Sequence, residues 1–272
     1  MAAAAPWVRA NDAAAAANVR LRPLPSLEDA DAILRVMIAT WGHHQLLPRE
    51  MIVALAESGN VPWGAFDDGG IVGYVLGWTG IDPLDGLHLH SHMLATLPER
   101  RHRGVGYALK LAQRARCADQ GISIVRWTFD PLLSRNAHFN LAKLGATADR
   151  FLPNFYGEMT DTLNRGERSD RLVVRWDLET DPDGSSAQAR GSEVLGRVGD
   201  DELPKPTEVL PPAGPRALIR IPREYHDLRE RDRRLADAWR DAVSRAFEAC
   251  FDAGLVVTGY AADATYVLEE RP

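Results

Sequence analysis

The chain has 272 residues, of which 45% are hydrophobic and 26% charged, with a formal net charge of −6. That length buries a full core and accommodates one large or two small domains, and the composition is that of a soluble globular protein. The acidic balance argues against general nucleic-acid binding, and no apolar stretch is long enough to span a bilayer.

Met1 to Asn18 is Ala-rich but broken by Pro6, Arg9 and Asp12, so it lacks the continuous apolar core of a signal peptide and reads as a disordered tail. Val19 to Leu24 alternates as a first strand. Ser26 then suits an N-cap, and the helix it opens carries Ala30, Ile33, Leu34, Met37 and Ile38 on one face. Pro48 can start a second helix running through Leu55 to Gly59. Trp63 to Phe66, a turn at Asp67-Asp68-Gly69-Gly70, and Ile71 to Leu76 read as a hairpin. Leu87 to Leu97 gives the next strand, on which His88, His90 and His92 alternate, sharing one face if the strand is regular.

That strand leads into Arg101-His102-Arg103-Gly104-Val105-Gly106 and then a helix, with Val105, Ala108, Leu109, Ala112 and Ala115 on its buried face. A strand, a Gly-rich turn and a helix start place backbone N–H groups and a positive dipole end at one spot, where phosphate binds. The arginines add charge-assisted donors. The spacing is neither the dinucleotide fingerprint nor the P-loop. Ile122 to Phe129 reads as a strand, followed by Ser134-Arg135-Asn136 and a helix ending at Leu144-Gly145.

Residues 180–215 are rich in Asp, Gly, Ser and Pro, and read as a linker or long surface loop. Ala217 to Ile221 then forms a strand. A helix from Asp232 to Ala253 carries Leu235, Ala236, Trp239, Val243, Phe247 and Cys250 on one face, and Leu255 to Leu268 is again strand. This β-α-β unit is small for independent folding, so it is expected to pack on the main sheet. Cys117 and Cys250 both fall in helices and read as core filler, which suits a cytoplasmic location.

Arg-x-x-Gly-x-Gly at 101–106, followed after one strand by Asn136 nine residues before Gly145, resembles the GNAT acyltransferase superfamily. The resemblance implies an α/β fold with a mixed, mostly antiparallel sheet splayed at an acyl-CoA site, here with a C-terminal β-α-β extension. It spans residues 19–179 clearly. It implies that 101–106 bind the pyrophosphate, that Leu94, Ala95 and Thr96 offer backbone donors, and that Asn136 contacts the pantetheine arm. The family's frequent catalytic Tyr is Leu141 here. Ser91-His92-Met93, Trp127 to Leu132, Asn154-Phe155-Tyr156-Gly157 and Ser169 to Leu172 further resemble a branch encoded beside N-acylamino-acid racemases, some of whose members are assigned as N-succinyltransferases.

The implied reaction is transfer of an acetyl or succinyl group from its CoA thioester to the amine of a small metabolite, an amino acid in particular. The other readings are a protein N-acetyltransferase and a non-catalytic acyl-CoA-binding protein. His92 is the candidate base, against a hydrogen-bonded structural histidine or a metal site built on the three histidines. Tyr156 is the candidate acid, against a packed aromatic. Arg171 either holds a substrate carboxylate or pairs structurally with an Asp, as Asp130 and Asp170 also invite. His43 and His44 lie either in the acceptor pocket or in an exposed loop, and Trp127 joins Asp130 as an acceptor-site candidate. No metal is implied, and the sequence leaves both a monomer and a homodimer open.

Overall fold

The computed structural model describes residues 4–43, 46–101, 103–157, 166–180, 187–200 and 202–270. These divide into two compact units. One comprises the chain through Arg126 with Gly166 and Glu167, and the other runs from Trp127 to Gly157 and from Arg168 onward.

The first unit begins with a helix, α1 (Ala4–Ala16), where a disordered tail was expected. Ala is the strongest helix former, and Pro6 sits in the first turn, where no intrahelical bond is lost. Ala10, Ala14 and Ala17 are buried, and Trp7 lies 4.7 Å from Trp63 between ring centroids, so one helical face is covered. The strand β1 (Arg20–Pro23) follows, then α2 (Leu27–Trp41) and α3 (Arg49–Glu57). Ser26 caps α2 in a reciprocal box with Asp29. The strands β2 (Trp63–Asp67), β3 (Gly70–Asp82) and β4 (Gly86–Thr96) form an antiparallel meander with β1. A 3₁₀ turn, Pro98–Arg100, leads to α4 (Val105–Asp119), and β5 (Ile124–Phe129) pairs in parallel with β4 at Leu89–Val125 and His90–Arg126. The core lies between the sheet and the helices, with Val72, Val75, Ala108 and Leu109 on one side and Ile33, Met37, Tyr74 and Leu76 on the other.

In the second unit, α5 (Ser134–Ala137) continues as a π-helical stretch, His138–Lys143. The sheet order is β7 (Arg171–Asp177), β6 (Thr147–Leu152), β12 (Leu255–Ala261), β13 (Thr265–Glu270), β11 (Arg216–Arg220) and β8 (Ser192–Leu195). Thus the 180–215 stretch is not wholly a loop. Val194 and Leu195 are fully buried, and β8 lies parallel to β11. A short ribbon of β9 (Arg197–Val198) and β10 (Lys205–Pro206) follows. After β11 come α6 (Tyr225–Arg231) and α7 (Arg233–Asp252), the latter capped by Asp232. The C-terminal strands join the sheet of β6 and β7 through Val257 opposite Ala148.

The whole is a mixed α/β protein with mostly antiparallel strands. From β1 to β7 the elements run β-α-α-β-β-β-α-β-α-β-β.

Candidate functional site

The loop between β4 and α4 has the geometry its glycines predict. Gly104 is the N-cap of α4 at φ 84°, a left-handed conformation that glycine adopts without steric cost. The first intrahelical bond runs from the Ala108 N–H to the Gly104 carbonyl at 3.0 Å. The N–H groups of Val105, Gly106 and Tyr107 therefore precede the helical ladder, and no acidic side chain occupies the first turn. A Cβ on Gly106 would meet Leu94 Cδ2 at 3.7 Å, an ordinary contact, so the fold itself does not demand glycine there. Arg101 and Arg103 are exposed, while Arg100 pairs with Asp67; His102 lies outside the described residues. Leu94, Ala95 and Thr96 are registered against Val75, Tyr74 and Gly73 of β3.

β4 is not a regular strand at its histidines. Leu76 faces Met93 and Gly77 faces Ser91, so His92 is the extra residue of a β-bulge. Gly77 makes this possible, because a Cβ there would collide with the His90 carbonyl. The His90 and His92 rings nevertheless stand together, with centroids 5.9 Å apart, and Trp78 covers both at 5.2 and 4.6 Å. His88 is buried, and its Nδ1 lies 3.2 Å from the Gly86 carbonyl. Among the described residues no three His, Cys, Asp or Glu side chains converge as a metal-binding group.

Burial lowers the pKa of His92 below the ordinary histidine value. That of His90 falls to about 4, through burial and the charges of His92, His88 and Lys110. On the other side of the strand Ser91 Oγ accepts from buried Lys110 Nζ at 3.0 Å, which also donates to Gln113 Oε1 at 2.7 Å. Burial holds this lysine at about 7. Sequence reading missed Lys110, although a charge on the helix that carries Leu109 and Ala112 was the available signal.

The second unit brings together four of the residues singled out from sequence. Tyr156 is 45% exposed, its hydroxyl lies 3.3 Å from Thr128 Oγ1, and the Arg171 guanidinium sits 5.5 Å over its ring. Arg171 Nη1 is 3.8 Å from Asp130 Oδ2 and donates to the Asp170 carbonyl at 2.9 Å. Trp127 is buried edge-on against Trp176 at 6.1 Å.

Asp130 and Asp170 each stand in a structural Asp–Arg pair, with arginines the sequence reading does not name. Asp130 receives Arg240 Nη1 on both oxygens at 2.8 Å, and Asp170 receives Arg168 Nε and Nη2 at 2.8 and 3.0 Å. Arg240 went unremarked in the sequence, yet it lies on the same helical stripe as Ala236, Trp239 and Val243. A charge on a buried stripe marks a buried partner.

Asn136 is exposed on α5, and its backbone N–H reaches the Leu133 carbonyl at 2.9 Å. Leu141 is buried. His43 is exposed after α2, and His44 lies outside the described residues.

Residues 29–145, which include the bulged strand, the glycine turn and the helix that follows, match the model of the Acetyltransferase (GNAT) family. No curated protein matches the sequence. Among solved structures, Ard1 from Thermoplasma volcanium is similar at 19% identity, over 58% of this chain and 96% of that one, with a TM-score of 0.46. Naa20 from Chaetomium thermophilum, solved with a bisubstrate analogue, is 19% identical over 59% and 87% of the two chains, with a TM-score of 0.48. The ribosomal-protein-S18-alanine N-acetyltransferase of Escherichia coli is 14% identical over 62% and 99%, with a TM-score of 0.46. In this chain the GNAT segment runs from α2 through α4 and β5 to the glycine that follows the π-helical stretch.

Proposed function

We propose that the chain is an acyl-CoA-dependent N-acyltransferase that transfers an acetyl or succinyl group to the amine of a small metabolite, an amino acid in particular. The observation that carries this reading is the left-handed Gly104 turn opening α4 inside the GNAT segment. Its unladdered N–H groups, with Arg101 and Arg103 beside them, suit a diphosphate. The absence of a steric need for glycine at 106 points to a requirement for close approach by a ligand. The resemblance to the racemase-adjacent branch supports the amino-acid acceptor.

Each step of acyl transfer has a candidate group. The backbone of Leu94 to Thr96 polarises the thioester carbonyl. Asn136, exposed on α5, holds the pantetheine arm. His92 takes the proton of the attacking ammonium, directly or through water. Its lowered pKa keeps it neutral at neutral pH, the state a base requires. The amine nitrogen then bonds to the acyl carbon, the carbon–sulfur bond breaks, the Tyr156 hydroxyl protonates the departing thiolate, and the second proton that the nitrogen sheds on becoming an amide restores the Tyr156 phenol through solvent. His43 and Trp127 remain acceptor-site candidates.

No helix among the described residues is long and apolar enough to cross a membrane, and Cys117 and Cys250 are buried free thiols. The cysteines support a cytoplasmic location.

The test is a thiol-release screen of acetyl-, succinyl- and malonyl-CoA against a panel of amino acids, simple amines and peptides. Turnover of single amino acids is expected. Activity on peptides alone would make the chain a protein acyltransferase, and CoA binding without thiol release would make it a non-catalytic binder.

A further inference from the structure

Three buried or half-buried groups in the second unit are unequally matched. Asp130 is almost fully buried, and its carboxylate is already satisfied. Oδ1 accepts the Leu132 N–H at 2.9 Å, and both oxygens accept Arg240 Nη1 at 2.8 Å. Arg240 is itself buried and also reaches the Tyr225 hydroxyl at 3.4 Å. The neighbouring Asp170 has its own two-point partner in Arg168, which also reaches the more exposed Asp241 at 2.9 Å. Each buried carboxylate thus holds one close arginine.

Arg171 is a second cation on Asp130, left at 3.8 Å. Among the described residues its hydrogen bond is from Nη1 to the Asp170 carbonyl, a neutral acceptor. Its guanidinium lies beneath the half-exposed Tyr156 ring, whose hydroxyl adjoins Thr128 Oγ1. A buried guanidinium without a close counter-charge is costly. An anion arriving beside Tyr156 supplies that charge, and a carboxylate matches the planar fork of the arginine.

We propose that Asp130, Arg171 and Arg240 form a carboxylate-recognition site, in which Arg240 neutralises Asp130 and the Arg171 so released binds the carboxylate of the acceptor amine beside the Thr128 and Tyr156 hydroxyls. The inference rests on the N-acyltransferase reading and narrows its acceptor to amines that bear a carboxylate. Arg171 is the binding residue. Arg240, brought in by α7 of the C-terminal segment, is a positioning residue that acts through Asp130.

The test compares amino acids with their decarboxylated amines, phenylalanine against phenethylamine and alanine against ethylamine, in the thiol-release assay. The wild type should favour the amino acids in kcat/KM by about tenfold or more, the scale of a hydrogen bond to a charged group. Arg171→Met should abolish the preference while leaving KM for acyl-CoA unchanged. Arg240→Met should also erase it, because Arg171 then closes on Asp130. Adding Asp130→Asn to Arg240→Met should restore it, because nothing remains to capture Arg171. A purely structural role for Arg240 would instead lower activity on both members of each pair alike, without rescue by Asp130→Asn. Equal use of acid and amine by the wild type, or a preference that survives Arg171→Met, overturns the proposal. Failure to turn over any amine refutes the N-acyltransferase reading. The carboxylate site is then judged by thermal shift alone. Stabilisation of the wild type but not of Arg171→Met by the amino acids, with none from the amines, upholds it; any other pattern refutes it.

Discussion

Lys110→Met tests the electrostatics around β4. Lys110 Nζ is buried with its neutral partners Ser91 Oγ and Gln113 Oε1, and burial lowers its pKa from 10.5 to about 7. The unfolded chain keeps this proton up to about pH 10.5, whereas the folded protein releases it near 7. Between those values the unfolded state binds more protons, so stability rises with pH, at about 1.4 kcal/mol per unit for a single group. Over the whole interval the shift amounts to about 5 kcal/mol held against the folded state below pH 7. Methionine has a similar length and no charge, so the variant escapes this term while giving up the hydrogen bonds to Ser91 and Gln113. Urea denaturation of both proteins from pH 7 to 9 should show wild-type stability rising relative to the variant by roughly 2 kcal/mol, the slope being only half developed at pH 7. Cys250, whose thiol burial pushes up to about 12, is present in both proteins and drops out of the difference, whereas Cys117, which the Lys110 charge holds down, should titrate higher still in the variant. The His90 imidazole, which the Lys110 charge helps hold at about 4, should titrate higher in the variant by NMR. Parallel stability curves across this pH range would refute the reasoning and mean that Lys110 keeps its proton in the fold.

Other variants address the transferase itself. Gly106→Ala should reduce CoA affinity about tenfold by calorimetry with little change in melting temperature, because a Cβ there makes only ordinary contact with Leu94 but stands in the way of a diphosphate at the helix start. Gly104→Val should lose both affinity and stability, since its positive φ strains any L side chain. Asn136→Ala should raise KM for acyl-CoA at an almost unchanged melting temperature, as its side chain is exposed on α5. His92→Ala should lower kcat/KM most between the lowered pKa of His92 and the pH at which the amine sheds its own proton, the range in which the neutral imidazole serves as base. The wild-type acid limb should fall below the ordinary histidine value, because protonation sets in only as pH drops through the lowered pKa. Tyr156→Phe should lower kcat with little effect on acyl-CoA binding, and losses below about threefold in both variants would assign proton transfer to solvent.

Much of the molecule was legible from local pattern. The capping box at Ser26, the hairpin at Asp67 to Gly70, the glycine turn at 104 and the apolar stripe of α4 depend on residues within a turn or two of one another. One helix was hidden because alanine marks no polar or apolar face: α1 could be recognised only once Ala10 and Ala14 were seen covered. β8 was hidden by its flanks, since Val194 and Leu195 are two apolar residues in a polar, proline-rich stretch.

The local sequence determines where a backbone can bend, cap and accept an anion, since those properties belong to φ, ψ and the first turn of a helix. Hence the glycine loop, and the likeness of residues 29–145 to the GNAT family model, are legible in residue order alone. Which charge meets which is settled by side chains far apart in the chain. Asp130 is 110 residues from the Arg240 that neutralises it, and the bulge at His92 exists only because Gly77 of the neighbouring strand gives way to the His90 carbonyl. Electrostatic energy depends on distance and burial, and neither exists until the chain is folded.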